Sequence, residues 1–402
     1  MNKTLVISRV FPPQVGGNGR WMWELYSRMP PGECLVAAAQ FPGSESFDQP
    51  NELPVLRVPM QLSSWGILGW RRCAAYYAIY AQLHRIARER SIQSIHASNC
   101  LPEGFLAWML SRRLGLPYLV YVHGEELNIT SKSRELTWMV GRVFRDAAQL
   151  ISNSQNTSQL LCKTWPVVAE RVYVMHPGVD TEKFRPAPYN SEARRKLRWN
   201  DRSIVLTVGR LVKRKGHERI IRALPQISRS VPDVLYAIVG DGDERQCLQQ
   251  VVTDLALNDR VVFHGELDSR DLVSAYQQCD VFAMPNHEVQ GDFEGFGIVF
   301  LEAQACGKPV IAGDSGGTVE AINSPRSGLI IRNGQSDELS QTLIDLFLDR
   351  ERRERMGRAG RDWVEMNFDW RLLVKEACRV FAGASGRGEG REASEPVFAE
   401  LR

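Results

Sequence analysis

Apolar segments of five or six residues alternate with helical segments along the whole chain. The first half contains TLVIS, CLVAAA, SIHAS, YLVYVH, LISNS and VYVMH. The second half contains IVLTVG, LYAIVG, VVFHG, VFAMP, PVIAG and GLIIR. Strands that alternate with helices form parallel sheets covered by helices. We therefore predict an α/β fold with doubly wound sheets.

The chain divides into two sets of strands. Its 402 residues are too many for one core of ordinary size. The polar segment FRPAPYNSEARRKLRWNDRS, with Pro186 and Pro188, separates the sets. We predict two Rossmann-like domains, residues 1–185 and 186–382, that face each other across a cleft, and a disordered Gly-rich tail over residues 383–402. Ligands of such sheets bind at the carboxyl ends of the strands, so the cleft is the predicted site.

The bulk composition argues against several classes of protein. A net charge of +3 is nearly neutral for this length and argues against a nucleic-acid partner. The eight cysteines are scattered, as is typical of a reducing compartment. No apolar stretch approaches the roughly 18 residues that span a bilayer, and MNKTLVISRVFPP is typical of a first strand rather than a signal peptide. We expect a cytoplasmic protein whose membrane contact, if any, is peripheral.

Two loops of the first domain follow predicted strands and carry candidate residues. Gly16 and Gly17 lie in the flexible loop FPPQVGGNGRWMWEL, which opens a helix. Backbone N–H groups at a helix N-terminus suit an anion or a sugar, and an ordinary turn is an equal alternative. His123 ends the strand of VYVHGEELN and is followed by a glycine and two acidic residues. A histidine in this position serves either catalysis or structure.

A basic loop of the second domain, VGRLVKRKGHERII, carries Arg210 and Lys215 ahead of a helix. A guanidinium group and an ammonium group suit a diphosphate leaving group, and a solvated basic loop is the alternative. Asp241 and Asp243 form a D-x-D motif in VGDGDER. At a strand–turn–helix junction such aspartates are typical turn and cap residues, so we predict no metal site.

The segment EGFGIVFLEAQACGKPVIA begins with Glu294 in a loop and carries Glu302 inside an apolar helix. An apolar helix is a buried helix, and a buried carboxylate is costly unless it is hydrogen-bonded. The vicinal diol of a nucleotide ribose offers two suitable donors. A buried Glu–Arg pair between two helices is an equal alternative. Gly295 and Gly297 leave the N-terminus of this helix open to an anion or a hydroxyl group.

Several motifs together resemble the retaining glycosyltransferases of family 4, which have the GT-B fold. These motifs are, in order, HPGVDTEKFRP, VGRLVKRKG, YQQCDVFAMP and EGFGIVFLEAQACGKPVIA. The resemblance extends to about Ala382, and FPPQVGGNGRW with the His-Gly of VYVHGEELN is most similar to bacterial phosphatidylinositol mannosyltransferases. It implies transfer of a hexose from a nucleotide-diphosphate sugar, with GDP-mannose favoured, to a hydroxyl group of a glycan or glycolipid. It implies neither a metal ion nor another cofactor.

The resemblance implies a role for each candidate of the helix segment. Glu302 would bind the nucleotide ribose. Glu294 would lie against the donor sugar, next to Gly295. The backbone N–H groups of Phe296 and Gly297 would assist Glu294.

It also implies roles for the other loops of the cleft. Arg210 and Lys215 would bind the diphosphate, and His123 would face the transferred sugar. Gly16 and Gly17 would border both the phosphate and the acceptor.

Other functions remain open on the same scaffold. A non-hydrolysing nucleotide-sugar epimerase and a non-catalytic sugar-nucleotide sensor are different classes of protein. A glycosyltransferase with a UDP-sugar donor and a soluble acceptor is a variant within the favoured class. A requirement for an acceptor in the release of the nucleotide diphosphate separates the transferase from the epimerase.

The helical segment SRELTWMVGRVFRDAAQL indicates where an acceptor could come from. Trp138 falls opposite its apolar face, one turn from Arg134 and Arg142, and an upstream Arg-rich helix adds Trp65 and Trp70. An exposed tryptophan among arginines is typical of a helix on an anionic membrane surface. The alternative is that Trp138 packs on another loop. Our hypothesis is peripheral binding to the cytoplasmic face of the inner membrane and a lipid-linked acceptor.

Overall fold

The structure is a computed structural model that describes residues 3–14, 16–62, 64–124, 127, 133–332 and 336–384. The first seven strands form one parallel sheet. They are β1 (Thr4–Ser8), β2 (Cys34–Ala39), β3 (Val55–Val58), β4 (Ser94–Ala97), β5 (Tyr118–Val122), β6 (Gln149–Ser152) and β7 (Val172–Val174). The next six form a second parallel sheet. They are β8 (Ser203–Val208), β9 (Val234–Val239), β10 (Val261–Gly265), β11 (Val281–Met284), β12 (Val310–Gly313) and β13 (Gly328–Ile331).

Helices connect these strands and cover the sheets. Those up to β7 are α1 (Gly17–Tyr26), α2 (Ser44–Asp48), α3 (Trp70–Glu89), α4 (Phe105–Leu114), α5 (Arg134–Asp146) and α6 (Gln155–Thr164). The later ones are α7 (Ser191–Lys196), α8 (His217–Ser230), α9 (Arg245–Asp254), α10 (Ser269–Gln278), α11 (Ile298–Ala305), α12 (Ser336–Leu348), α13 (Arg350–Asn367) and α14 (Trp370–Ala384). None of these described helices is both long enough and apolar enough to cross a membrane.

Each sheet is buried on both faces. In β1, Leu5 and Ile7 belong to one core cluster, whereas Val6 belongs to another on the opposite face. Strands of this kind are continuous apolar runs, which is why the sequence predicts them well. The predicted pair of doubly wound α/β domains is confirmed. The sequence did not predict β3, an edge strand in which Arg57 pairs with Asp48 at 2.7 Å.

The strand orders define one switch point in each sheet. The first sheet has the order β3-β2-β1-β4-β5-β6-β7, and the second has the order β10-β9-β8-β11-β12-β13. The chain therefore turns in opposite directions after β1 and after β4, and likewise after β8 and after β11. Ligands of doubly wound sheets bind in the crevice at this point, outside the carboxyl ends of the strands.

The two domains are joined by direct contacts. Glu320 of the second domain accepts hydrogen bonds from the N–H groups of Gln155 and Asn156, at 2.7 and 2.9 Å. These groups open α6 in the first domain, where a carboxylate is favoured by the helix dipole. His176 Nε2 lies 2.9 Å from the same carboxylate.

The last helix returns to the first domain. Buried residues of α14 share a core cluster with α1, and Phe381 stacks on Tyr26 with ring centroids 6.1 Å apart. The predicted domain limits, residues 185 and 382, stay a prediction. They assign α14 to the second domain by chain order, whereas α14 packs on the first domain. The helix continues through Gly383 to Ala384. The rest of the predicted tail, residues 385–402, lies outside the described residues.

Candidate active site

Three charged side chains meet at the switch point of the second sheet. Lys215 lies in the helical turn Lys213–Lys215 after β8, and Glu294 lies in the loop between β11 and α11. Lys215 Nζ is 2.5 Å from Glu294 Oε2, and Arg214 Nη1 is 2.5 Å from the same oxygen. All three side chains are largely shielded from solvent. The structure thus brings two of the predicted residues together and adds Arg214.

The charge of Glu294 is stabilised by its neighbours. Burial alone would raise the pKa of its carboxyl group, but the charges and hydrogen bonds of Lys215 and Arg214 outweigh burial and lower it. Arg214 Nε also lies 3.0 Å from the carboxylate of Asp292. Glu294 is therefore ionised and held in one position, so it can orient a hydroxyl group but is a poor nucleophile.

Arg210 belongs to the same loop but differs from Lys215 in its surroundings. Its side chain is exposed at the carboxyl end of β8, whereas Lys215 is buried. The loop is shaped by close backbone approaches. A Cβ atom on Gly216, which has a φ of +74°, would lie 2.2 Å from the carbonyl oxygen of Pro285. The structure leaves the Arg210 side chain exposed at this end of the sheet.

Glu302 is buried in α11 and is paired on both oxygens. The hydroxyl group of Tyr276 donates to Oε2 at 2.7 Å. Arg20, on α1 of the first domain, forms an ion pair with Oε1. Burial would lower the pKa of Arg20, but the charge of Glu302 raises it overall. The alternative of a Glu–Arg pair between two helices is therefore present, and the ribose role stays a prediction.

His123 lies where the two domains touch. Its Nε2–H donates to the carbonyl oxygen of Ser98 at 2.7 Å, and Trp21 packs edge-on at 5.5 Å. Asn153 Nδ2 donates to the carbonyl oxygen of His123 at 3.1 Å. A Cβ atom on Gly295 would lie 2.8 Å from that same oxygen, so the loop of Glu294 reaches the backbone of His123. The predicted histidine and the predicted acid thus belong to one site.

Backbone groups complete the site from both sides. Gly16 directly precedes α1, and Gly17 is its first residue. Gly297, with a φ of +92°, is the cap residue of α11, and Phe296 before it is buried. Among the described residues, none accepts a hydrogen bond from the N–H groups of Phe296 or Gly297. These N–H groups can bind an anion or a hydroxyl group.

The D-x-D motif forms a turn. Asp241 accepts a hydrogen bond from the N–H group of Gly242 at 2.8 Å and lies 3.3 Å from Arg245. Within the described part of the chain, no group of three or more His, Cys, Asp or Glu side chains has the geometry to hold a metal ion.

Sequence reasoning missed two cationic residues of the site. Arg214 was not singled out, because three consecutive basic residues look alike in a sequence. Arg20 follows the glycine loop by three residues, but its partner lies 282 positions away in the chain. A helix in which Glu302 is the one charged residue indicated that some cation or donor must reach it, but not which one.

Comparison with protein families agrees with this architecture. A family model described as Glycosyltransferase Family 4 matches residues 15–183. A second model, described as Glycosyl transferases group 1, matches residues 190–363. The first match covers β2 to β7, and the second covers β8 to β13.

Curated relatives are similar over nearly the whole chain. The GDP-mannose-dependent alpha-(1-6)-phosphatidylinositol monomannoside mannosyltransferase of Mycobacterium tuberculosis is 30% identical, over 95% of this chain and 99% of the relative. The enzyme of the same name from Mycolicibacterium smegmatis is 32% identical, over 97% of this chain and 100% of the relative. Among solved structures, HepE of Anabaena in complex with UDP has a TM-score of 0.80 at 22% identity, covering 95% of this chain and 100% of HepE.

Proposed function

Because the chain belongs to the family 4 glycosyltransferases, which have the GT-B fold, we propose that it transfers mannose from GDP-mannose to a hydroxyl group of a phosphatidylinositol-type glycolipid. The transfer retains the anomeric configuration and needs no metal ion. The relatives in Mycobacterium and Mycolicibacterium carry GDP-mannose and phosphatidylinositol monomannoside in their names, which supports both the donor and the acceptor.

The observation that carries the proposal is the ion pair of Lys215 with Glu294 beside His123. It places a cation, a fixed carboxylate and a histidine where the switch point of one sheet meets the other domain. This combination suits a nucleotide-sugar transferase. The cation can stabilise the charge that develops on the leaving diphosphate, while the carboxylate and the histidine hold the sugar hydroxyl groups.

We assign the departure of the diphosphate to the basic loop. As the bond between sugar and phosphate lengthens, negative charge grows on the diphosphate oxygens. Lys215 and Arg210 stabilise that charge, and the N–H groups of Phe296 and Gly297 add the positive end of α11. Cations that are already positioned lower the barrier because they do not reorganise during the reaction.

The sugar is held by Glu294 and His123. Glu294 accepts hydrogen bonds from sugar hydroxyl groups, and its two ion pairs keep it from attacking the anomeric carbon. The acceptor hydroxyl group then attacks on the face from which the diphosphate leaves, which gives retention. Glu302 binds the ribose, and the loop of Gly16 and Gly17 borders the phosphate and the acceptor.

Purified protein tests the proposal directly. We expect mannose transfer from GDP-mannose to phosphatidylinositol monomannoside in detergent micelles, with the product linkage assigned as α by NMR. Lys215→Ala should remove most of this activity, and a chelator should not. Release of GDP that is independent of an acceptor, or transfer from UDP-glucose alone, would contradict the proposal.

We also propose that the first domain binds an anionic membrane through one surface, called here the tryptophan face. It includes the exposed side chains of Leu68, Trp70, Tyr77 and Trp138. Glu135 on α5 accepts hydrogen bonds from the N–H groups of Ile67 and Leu68, the latter at 2.5 Å. This contact ties the segment before α3 to the start of α5.

Arginines accompany the aromatic rings of the tryptophan face. The guanidinium group of Arg71 lies 5.4 Å from the ring centre of Trp70, and that of Arg142 lies 5.5 Å from the ring of Trp138. Trp65, predicted to add to this surface, is instead partly buried against the core of the first domain. Aromatic rings next to cations suit the interface of an anionic bilayer.

Co-sedimentation with vesicles tests the membrane contact. Wild-type protein should bind vesicles that contain phosphatidylglycerol, and salt should weaken the binding. Trp138→Ala/Arg142→Ala should bind less, whereas Leu348→Ala/Met366→Ala, which removes exposed apolar side chains of the second domain, should bind like wild type. Wild-type protein that stays in the supernatant at low salt would make a soluble acceptor the better proposal.

A further inference from the structure

Glu103 is a buried carboxylate at the switch point of the first sheet. It lies in the short helical turn Cys100–Gly104 directly after β4, and only 2% of it is exposed. Because β4 lies between β1 and β5, Glu103 occupies the same sheet edge as His123 and the loop of Gly16 and Gly17. Doubly wound sheets bind ligands at this edge.

One oxygen of Glu103 has a protein donor and the other does not. The backbone N–H of Arg9, the residue directly after β1, donates to Oε1 at 2.8 Å. Oε2 is shielded from solvent, and no described residue donates a hydrogen bond to it. Burial raises the pKa of the Glu103 carboxyl group, although Arg9 acts in the opposite direction. A buried oxygen without a donor destabilises a fold, which is a poor arrangement for a residue with a purely structural role.

The segment after β4 also holds His123. The carbonyl oxygen of Ser98, the first residue after β4, accepts the hydrogen bond of His123 Nε2–H. His123 is near enough to Glu103 to lower the pKa of the Glu103 carboxyl group. The loop of Gly295 reaches the backbone of His123 from the second domain. Glu103 therefore lies on the first-domain side of the contact between His123 and the Gly295 loop. If the second domain holds the donor, the first domain is the side that is left for the acceptor.

We propose that Glu103 binds a hydroxyl group of the acceptor through Oε2. This inference rests on the proposed function, since an acceptor with a sugar or inositol ring offers the hydroxyl donor that Oε2 lacks. The hydrogen bond from Arg9 fixes the carboxylate, so the direction in which Oε2 accepts is set before the acceptor arrives. An acceptor without that hydroxyl group leaves Oε2 unpaired and is rejected, which makes Glu103 a specificity-determining residue.

Glu103→Gln is the sharpest test. The amide oxygen can still accept from Arg9, while the amide NH2 group replaces the oxygen that would accept from the acceptor. With GDP-mannose and micellar phosphatidylinositol monomannoside, we expect the acceptor KM to rise on the order of tenfold or more. The dissociation constant of GDP, measured by calorimetry, should not change. Asp146→Asn removes a carboxylate at the end of α5 in the same domain and should leave both values unchanged.

Glu103→Asp provides a second variant if Glu103→Gln does not fold. It keeps the charge but withdraws the accepting oxygen by one methylene group, so a smaller rise in acceptor KM is expected. An unchanged acceptor KM in a folded variant overturns the inference, and a bound water would then be the partner of Oε2. Weaker GDP binding also overturns it, because Glu103 would then act on the donor side. Wild-type protein that transfers mannose to no hydroxyl acceptor removes the proposed function itself, a result that needs no variant.

Discussion

Arg20 and Glu302 form an ion pair that joins the two domains directly across the cleft. Arg20 belongs to α1 of the first domain and is one-third exposed, whereas Glu302 in α11 of the second domain is buried. The guanidinium group also lies 5.4 Å from the ring of Phe184. Since we propose that Glu302 binds the nucleotide ribose, the ribose and Arg20 are partners of the same carboxylate.

Removal of Arg20 should therefore separate stability from nucleotide affinity. We expect Arg20→Ala to lower the thermal unfolding midpoint, because a buried carboxylate loses its cation. We also expect it to tighten GDP binding several-fold, because the ribose no longer replaces an existing partner. Arg28→Ala, which removes an ion pair to Asp180 at 2.8 Å two residues beyond the end of α1, should affect stability alone. Weaker GDP binding in Arg20→Ala would show instead that Arg20 contacts the nucleotide.

The basic loop should act mainly on the rate of transfer. We expect Lys215→Ala and Arg210→Ala each to lower turnover on the order of a hundredfold, because they stabilise charge that develops as the diphosphate leaves. Lys213→Ala removes an exposed charge from the same loop and is the control. Single-turnover rates with saturating GDP-mannose measure the effect. Near wild-type rates in both variants would place the diphosphate elsewhere.

The two glutamates of the helix segment should differ in what they bind. Glu302→Gln replaces an accepting oxygen next to Tyr276 with an amide NH2 group, so the affinity for GDP and for GDP-mannose should fall together. Glu294→Gln should weaken GDP-mannose more than GDP, because its proposed partner is the sugar. Calorimetry with both ligands on both variants decides the matter. Equal losses for both ligands in Glu294→Gln would refute the division of roles.

The parts of the fold that could be predicted are those that local pattern determines. Central strands such as β1 and β8 are apolar on both faces, so each is a recognisable run in the sequence. The edge strand β3 is half-buried and contains Arg57. Its apolar pattern is therefore too weak to be recognised in the sequence, although its backbone pairs with β2 in the sheet. The packing of α14 on the first domain, through Trp370 and Phe381, was not predicted, because an apolar helix face does not specify the sheet on which it packs.

The same distinction applies to the site. Residues in the loops that follow strands, such as His123 and Lys215, could be placed in the cleft from topology alone. Two equal alternatives remained for Glu302, because its partner depends on how the domains face each other. The burial of Arg214 is also a consequence of long-range packing, as is the Glu103 oxygen to which no described residue donates a hydrogen bond, so no local spacing indicated them.

Acid should destabilise the fold through buried histidines. His217 Nδ1 lies 3.0 Å from the hydroxyl group of Tyr236, which donates to Thr207, and burial lowers the pKa of His217 to about 4. An unfolded histidine titrates near pH 6.5, so between about pH 6.5 and 4 the unfolded state binds a proton that the folded state does not. The free energy of unfolding should therefore fall as the pH falls through this window, by on the order of 3 kcal/mol for this group.

Urea unfolding across this pH range measures that loss. His217→Asn cannot take up the proton and should make the pH dependence shallower, at the cost of a lower stability at neutral pH. His84→Asn, on the partly exposed part of α3, should keep the wild-type slope. A His217→Asn profile parallel to that of wild type would assign the acid sensitivity to other groups.

In the glycine loop before α1, the space around each glycine predicts one order of effects on stability, and ligand binding predicts a different order of effects on activity. A Cβ atom on Gly17 would meet nothing within 4 Å, whereas one on Gly19 would lie 2.7 Å from the carbonyl oxygen of Val10. Gly17→Ala should therefore leave the unfolding midpoint unchanged or raise it slightly, since alanine favours a helix by up to about 1 kcal/mol over glycine. Gly19→Ala should lower it.

If the diphosphate and the acceptor approach this loop closely, Gly17→Ala should reduce activity although it does not reduce stability. We expect Gly17→Ala to lose on the order of tenfold in kcat/KM for GDP-mannose, because the added methyl group occupies space that the ligand needs next to the backbone N–H groups. The loss should appear with a stable fold, which separates it from the effect of Gly19→Ala. If Gly17→Ala is as active as wild type, the ligands do not approach the chain at Gly17, and the loop serves as a turn.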